Sequence, residues 1–96
     1  MKLCYVADKK EVTHQMKTGV LDRTCTIGRS VSCTIPLTEG LVSRTNSTII
    51  HWDGEFVLRD SGSKNGTFLN GKKIEFAKLK AGDVIRIGDT DIRVEA

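Results

Sequence analysis

Residues 48–59 read TIIHWDGEFVLR, and this stretch decides the fold class of the 96-residue chain. Two runs rich in β-branched, aromatic and aliphatic residues, 48–52 and 55–59, flank the dipeptide Asp53-Gly54. An Asp-Gly pair between two such runs favours a two-residue type I′ turn, because both residues tolerate the positive φ angles that this turn requires. The stretch therefore predicts a β-hairpin.

Short apolar runs and turn signals continue on both sides of this hairpin. Asn70-Gly71 predicts a second two-residue turn, and we expect Asp89-Thr90 to join the last two strands. The other runs that predict strands are residues 2–6, 20–27, 33–37, 68–69, 72–74, 84–88 and 91–95. Pro36 restricts its strand to a sheet edge, or lies at the end of that strand, and only residues 76–79 suggest a helical turn. Many short strands with turn signals roughly every 8–12 residues are typical of sandwiches and barrels, so we predict an all-β, antiparallel β-sandwich.

Length and charge limit the classes of function. The 96 residues predict a single domain over residues 1–96, which can also be a module of a longer protein. A total of 15 basic and 12 acidic residues gives a formal net charge of +3 with the signs interspersed. This charge is too small to indicate nucleic-acid binding by itself, but it suits an acidic ligand. No apolar run is long enough for a membrane span.

The cysteines and histidines predict neither a metal site nor catalysis. Three cysteines are an odd number without the spacing of a disulfide framework, so we expect free buried thiols in a reducing compartment, the cytoplasm or the nucleus. No pair among the cysteines, His14 and His51 has the spacing of structural zinc ligands. Nothing local ties either histidine to a nucleophile. We therefore expect no metal, no cofactor and no enzymatic activity.

Three polar clusters follow apolar β-like runs, at positions where a sheet places its loops. They read GRS at residues 28–30, VSRTN at 42–46 and DSGSKNGT at 60–67. Together they supply cations, hydroxyls and amide donors, which suit a phosphate group because charge-assisted hydrogen bonds are about twice as strong as neutral ones. Loops on a rigid scaffold commonly carry binding residues. The clusters predict a phosphate-recognition site.

The polar clusters and the strand-forming runs between them, in their order and spacing along the chain, resemble the forkhead-associated (FHA) domain family. The resemblance covers residues 26–94 and rests on Ile27-Gly28-Arg29, Val42-Ser43-Arg44, Leu58-Arg59-Asp60, and the stretches 63–71 and 79–88. It implies an FHA/SMAD-like β-sandwich of about eleven short strands, which binds phosphothreonine peptides through loops at one end.

The resemblance also assigns roles to individual residues. It implies that Arg29 and Ser43 bind the phosphate, that Arg44 contacts the peptide, and that Asn65 hydrogen-bonds the peptide backbone beside the phosphothreonine. Lys64 adds a second cation. The residues that support the loops are Gly28, Asn46 and Gly66. The family pattern has histidine where this chain has Asn46, and this difference concerns how firmly the loops are held.

The function that we predict is a non-catalytic, monomeric module that binds a phosphothreonine-containing protein or peptide in Ser/Thr kinase signalling or assembly. One alternative is a phospho-independent interaction scaffold, in which Asn46 has disabled phosphate capture. Another is a small β-barrel that binds single-stranded nucleic acid, but such a protein needs aromatic stacking platforms, and the chain has only five aromatic residues. Trp52 is expected to pack across strands, so we expect neither nucleic acid nor membrane as a partner.

Overall fold

The computed structural model describes residues 1–16 and 24–96, and these residues form an all-β domain. It contains eleven strands: β1 (Lys2–Ala7), β2 (Lys10–Gln15), β3 (Thr24–Gly28), β4 (Ile35–Pro36), β5 (Ser47–Trp52), β6 (Glu55–Asp60), β7 (Phe68–Leu69), β8 (Lys72–Lys73), β9 (Phe76–Leu79), β10 (Val84–Ile87) and β11 (Thr90–Glu95). The predicted strand at residues 20–27 is observed from Thr24 onward, and residues 20–23 lie outside the described part. No helix in the described ranges is long and apolar enough to cross a membrane.

The strands form two sheets that pack as a sandwich. The six-stranded sheet has the order β2-β1-β11-β10-β7-β8, and the five-stranded sheet has the order β4-β3-β5-β6-β9. Side chains alternate between the two faces of a strand, and the inward-facing ones fill the core. Fully buried members from the two sheets include Leu3, Ile27, Ile49, Leu58, Ile85 and Ile92. The predicted β-sandwich is confirmed.

The two hairpin turns predicted from Asp-Gly and Asn-Gly are also confirmed. Asp53 and Gly54 have φ angles of +51° and +75°, and Asn70 and Gly71 have +51° and +86°. Two successive positive φ angles are the feature that defines a type I′ turn. The first turn joins β5 to β6 and the second joins β7 to β8, so the sequence fixes the register of both hairpins locally.

Two pairing details differ from the predictions. Residues 76–79 form strand β9 rather than a helical turn, because the free edge of β6 offers backbone partners from Phe56 to Arg59, and such tertiary pairing overrides weak local preference. The sheets are also not purely antiparallel, since β4 pairs in parallel with β3. Pro36 lies on that edge strand, as predicted.

The position of the last turn differs as well. The last hairpin turns at residues 88–89 and not at Asp89-Thr90, because Ile87 pairs with Thr90 and Gly88 supplies a positive φ of +58°. Trp52 is 64% exposed, since alternation along β5 turns it outward at the end of the strand, and its expected packing across strands stays a prediction. All three cysteines are free and buried, as predicted.

The sheet register places three loops at one end of the sandwich. Ser47, the first residue of β5, pairs with Ile27 near the end of β3 and with Asp60 at the end of β6. The chain segments that follow β3, precede β5 and follow β6 therefore start from the same edge. These segments contain the three polar clusters.

Candidate functional site

The loop after β3 is tied to the loop before β5 by backbone hydrogen bonds. Arg29 N–H donates to the Ser43 carbonyl at 2.9 Å, and Ser30 N–H donates to the Arg44 carbonyl at 3.1 Å. Asn46 N–H donates to the Ile27 carbonyl at 2.8 Å, which continues the ladder into the sheet. The first and second polar clusters are therefore adjacent.

Gly28 is required by the closeness of these two segments. A Cβ atom built on Gly28 would lie 2.3 Å from the Arg44 carbonyl oxygen and 2.9 Å from Thr45 Cα. Both neighbours belong to the backbone, so neither can move aside as a flexible side chain would. Only glycine permits this approach, which brings Arg29 beside Ser43.

The side chain of Asn46 joins the second loop to the third. It is fully buried, and its Oδ1 atom accepts a hydrogen bond from Ser43 N–H at 3.1 Å. Its Nδ2 atom lies 3.1 Å from Thr67 Oγ1, 3.4 Å from the Gly66 carbonyl and 3.1 Å from Ser47 Oγ. Asn46 therefore uses both ends of its amide to connect the Ser43 loop with residues 66–67.

The third loop also docks directly on the second. Lys64 N–H donates to Ser43 Oγ at 3.0 Å, and Asn65 Nδ2 donates to the Leu41 carbonyl at 3.0 Å. The Ser43 hydroxyl has one hydrogen of its own. Because its oxygen accepts from Lys64, that hydrogen can be donated to a bound anion.

A buried row of hydroxyl groups connects Asn46 to Asp60 beneath the loops. Thr67 Oγ1 donates to Asp60 Oδ1 at 2.6 Å, and Ser47 and Thr67 are in hydroxyl contact at 2.7 Å. A hydroxyl has a single hydrogen, and that of Thr67 is directed to Asp60, so Ser47 donates to Thr67. The network stabilises the base of the third loop.

Asp60 shapes the loop that follows it. Its Oδ2 atom accepts from the backbone N–H groups of Gly62 at 3.0 Å and Ser63 at 3.1 Å, and its Oδ1 atom also accepts from the Ser63 hydroxyl. Burial alone would raise the pKa of the Asp60 carboxyl, but the hydrogen bonds from Ser63, Thr67 and Gly62 outweigh burial and lower the pKa below its usual value. Asp60 is therefore held as a carboxylate.

Arg29, Arg44 and Lys64 give this end of the sandwich a positive charge. All three residues are exposed. No ion pair within residues 1–16 and 24–96 involves any of them. Exposed cations beside hydroxyl and amide donors attract an anion and give it directional hydrogen bonds.

Seven of the eight residues that the sequence assigned to the site thus lie on the three adjoining loops, and Gly28 ends β3 beside them. Their roles in binding stay a prediction. The sequence-based interpretation gave no individual role to several residues that fix the geometry: Asp60, Ser63 and Thr67, which it counted only as members of the third polar cluster, and Ser47, which belongs to none of the clusters. An Asp two residues before a glycine is a sign of a side chain that bonds its own following backbone, so Asp60 could have been found. Ser47 and Thr67 could not, because their contact is between distant parts of the sequence.

Metal chemistry has no support at this site or elsewhere in the described part of the chain. No three His, Cys, Asp or Glu residues in residues 1–16 and 24–96 form a group that could hold a metal ion. The arrangement of the loops suits hydrogen bonding to an anion.

A sequence model of the FHA domain matches residues 25–88, about two thirds of the chain. The chain belongs to the FHA domain family. Members of this family are non-catalytic binding modules, and this domain is one of them.

Individual relatives of the chain are also FHA domain proteins. FHA domain-containing protein FhaA of Mycobacterium tuberculosis is 36% identical over 83 residues, which are 85% of this chain and 15% of FhaA. The crystal structure of the FhaA FHA domain complexed with the intracellular domain of Rv3910 matches with a TM-score of 0.82 and 32% identity, over 97% of this chain and 98% of that one. The chain spans less than half of the length of the curated relatives that it matches.

A third match comes from a structural and functional analysis of phosphothreonine-dependent FHA domain interactions. Its TM-score is 0.83 at 32% identity, and it covers 100% of this chain and 97% of the other. Related domains therefore bind phosphothreonine segments of partner proteins.

We predict that Asn46→Ala destabilises the domain by about 1–3 kcal/mol, because it leaves buried polar groups without partners. The measurement is urea unfolding followed by tryptophan fluorescence. Thr45→Ala, at an exposed neighbouring position, is the matched control and is expected to change stability by less than about 0.5 kcal/mol. Equal stability of the two variants would show that the Asn46 bridge contributes nothing.

The lowered pKa of Asp60 predicts a pH dependence. A carboxyl whose pKa is lower in the folded state stabilises that state above its usual pKa, near 3.8, and this stabilisation is lost as the pH falls through the folded-state value. Asp60→Asn should therefore be less stable than wild type at pH 7, by about 1.5–3 kcal/mol. The difference should shrink as the pH falls below about 4.

The check is urea unfolding of wild type and Asp60→Asn at several pH values. Asp53→Asn, in the exposed turn between β5 and β6, serves as the control and should follow wild type. A difference between Asp60→Asn and wild type that is constant across pH would contradict the role of the Asp60 carboxylate.

Proposed function

We propose that this domain binds phosphothreonine-containing segments of partner proteins, which a Ser/Thr kinase produces, through the loops at residues 28–30, 41–46 and 60–67. The observation that carries the proposal is the contact between Lys64 N–H and Ser43 Oγ. This contact joins the third loop to the second, and the first loop is tied to the second by the hydrogen bond from Arg29 N–H to the Ser43 carbonyl. Three loops that each carry an exposed cation therefore adjoin one hydroxyl. That combination of charge and directional donors is what a phosphate dianion requires.

Each site residue has a role that fits its position. Arg29 and Ser43 would bind the phosphate oxygens, and the Arg29 guanidinium can donate two parallel hydrogen bonds. Arg44 and Lys64 would add positive charge at the edge of the phosphate site. Asn65 is held by the Leu41 carbonyl through one N–H, which leaves its other N–H and its Oδ1 for the backbone of the bound segment.

The scaffold alternative depended on Asn46 failing to hold the loops. The buried amide of Asn46 contacts both Ser43 and Thr67, and these contacts count against that alternative. The nucleic-acid alternative also has little support, because the described loops at this end carry no aromatic residue for stacking. A reducing compartment, where kinase substrates occur, fits three free buried thiols.

We predict discrimination between phosphothreonine and phosphoserine. The two groups carry the same charge, so only contact with the threonine methyl can separate them, and one buried methyl is worth about 1–3 kcal/mol. One peptide carrying phosphothreonine, phosphoserine or unmodified threonine at the same position would be titrated by calorimetry at fixed salt. The phosphoserine peptide is expected to bind about tenfold weaker or more, and the unmodified peptide not measurably.

Equal binding of the two phosphopeptides, with steep loss in added salt, would reduce the site to a cationic patch. Equal binding of all three peptides would favour the phospho-independent scaffold.

We also predict that Arg29→Ala weakens phosphothreonine binding by about 10- to 150-fold, since hydrogen bonds to charged groups contribute roughly 1.5–3 kcal/mol. Its melting temperature should stay close to that of wild type because the side chain is exposed. Arg59→Ala, an exposed arginine on β6, is the control for the loss of one charge. Unchanged affinity in Arg29→Ala would remove the central phosphate ligand from the proposal.

A further inference from the structure

Lys73 lies beside the proposed peptide site although the sequence did not single it out. In the β7–β8 hairpin, Phe68 pairs with Lys73 and Leu69 pairs with Lys72. Directly paired residues share one face of a sheet and neighbouring pairs face opposite sides. Lys73 therefore lies on the face of Phe68, and Lys72 lies on the other face.

The Lys73 side chain reaches the loop that holds Asn65. A Cβ atom built on Gly66 would lie 3.2 Å from Lys73 Cε and 3.2 Å from Phe68 Cε1. The lysine stem and the phenylalanine ring thus occupy the space that the missing side chain of Gly66 leaves open. The next group on Lys73 after Cε is the ammonium, so its charge lies close to Gly66, the residue that follows Asn65.

The charge of Lys73 is not neutralised by an ion pair within the described residues. Arg86, which flanks Phe68 on its other side, is paired with Asp91 at 3.0 Å and Asp89 at 3.6 Å. Lys73 is exposed, and the ion pairs of residues 1–16 and 24–96 do not include it. Its partner can therefore come from a bound molecule.

The distance from the phosphate site fits one bound peptide. Lys64 N–H touches the Ser43 hydroxyl, and two peptide units, at most about 7.6 Å, separate Lys64 from Gly66. An extended peptide advances about 3.3 Å per residue. An extended peptide held at Ser43 and Asn65 therefore covers this distance in about two to three residues, so a side chain near that separation from the phosphothreonine comes close to Lys73.

We propose that Lys73, supported by Phe68 and Gly66, is a second anion subsite that selects an acidic residue in the bound phosphopeptide. The inference rests on the proposed function, because the phosphothreonine anchors the peptide. The inference adds to the three loops of the proposed site a residue on the β7–β8 hairpin. The acidic residue lies on the side of the phosphothreonine that passes Asn65.

The competing explanation gives Lys73 a packing role only. Its aliphatic stem covers the Phe68 ring, as long charged side chains often cover apolar surface. Lys73→Gln keeps most of the length of the side chain but removes its charge. Sensitivity of binding to the charge of the peptide separates the two roles, since packing is not affected by a carboxylate on the ligand.

The test uses a phosphothreonine peptide library in which each of the five positions on either side is fixed in turn as Glu or Gln, with neutral residues elsewhere. Binding of each pool is measured to wild type, Lys73→Gln and the matched control Lys72→Gln. Lys72→Gln removes the same charge from the opposite face of the same hairpin. Melting temperatures verify that all three proteins are folded.

At one or two neighbouring positions, wild type is expected to prefer Glu over Gln by about two- to fivefold, the range of an exposed charge pair. Lys72→Gln should keep this preference and Lys73→Gln should lose it. The preference should also decrease at high salt.

Failure of the Lys73 subsite and failure of the proposed function give different results in this test. If wild type retains the phosphorylated pools but prefers Glu nowhere, or if Lys73→Gln keeps the preference, the subsite is wrong and phosphothreonine binding stands. If wild type does not distinguish the phosphorylated pools from unphosphorylated ones, both the proposed function and the subsite are overturned.

Discussion

The buried amide of Asn46 is the interaction on which the shape of the loop end depends. A single side chain with no exposed surface accepts from Ser43 N–H and donates toward the Thr67 hydroxyl and the Gly66 carbonyl. A buried amide left without partners costs more than its hydrogen bonds contribute, so the native arrangement is favoured over alternatives that break any of them. The Ser43 loop and the third loop are therefore held in one relative position before any ligand arrives.

The sandwich and the loops support each other through short contacts. The sheets bring the ends of β3 and β6 to the start of β5, and Gly28 lets the backbones of two loops approach more closely than any side chain would permit. Below them, Asp60 and Thr67 connect the third loop to the end of β6. A rigid site loses less conformational freedom when it binds. Loops that are held in place in this way favour the binding that we propose.

Local signals in the sequence predicted most of the fold, whereas contacts between distant residues were predicted poorly. Asp53-Gly54 and Asn70-Gly71 determine their turns through their own backbone preferences, so both hairpins were predicted correctly. Strand β9 was missed because its pairing with β6 is not encoded within residues 76–79. The loop residues of the candidate site were identified through family resemblance, and the structure brings them together. Lys73 was not identified from the sequence, since its proximity to Gly66 depends on how the β7–β8 hairpin packs against the third loop.

In our proposal the phosphate site is already formed in the free domain, and amide hydrogen exchange tests this most directly. The two amides to follow are Ser43 N–H, bonded to Asn46 Oδ1, and Lys64 N–H, bonded to Ser43 Oγ. In the ligand-free protein both are expected to exchange at least about tenfold more slowly than unstructured amides, because each opening must break a native hydrogen bond. Exchange of both amides at the unstructured rate would mean that the loops are not held together, and it would contradict the account.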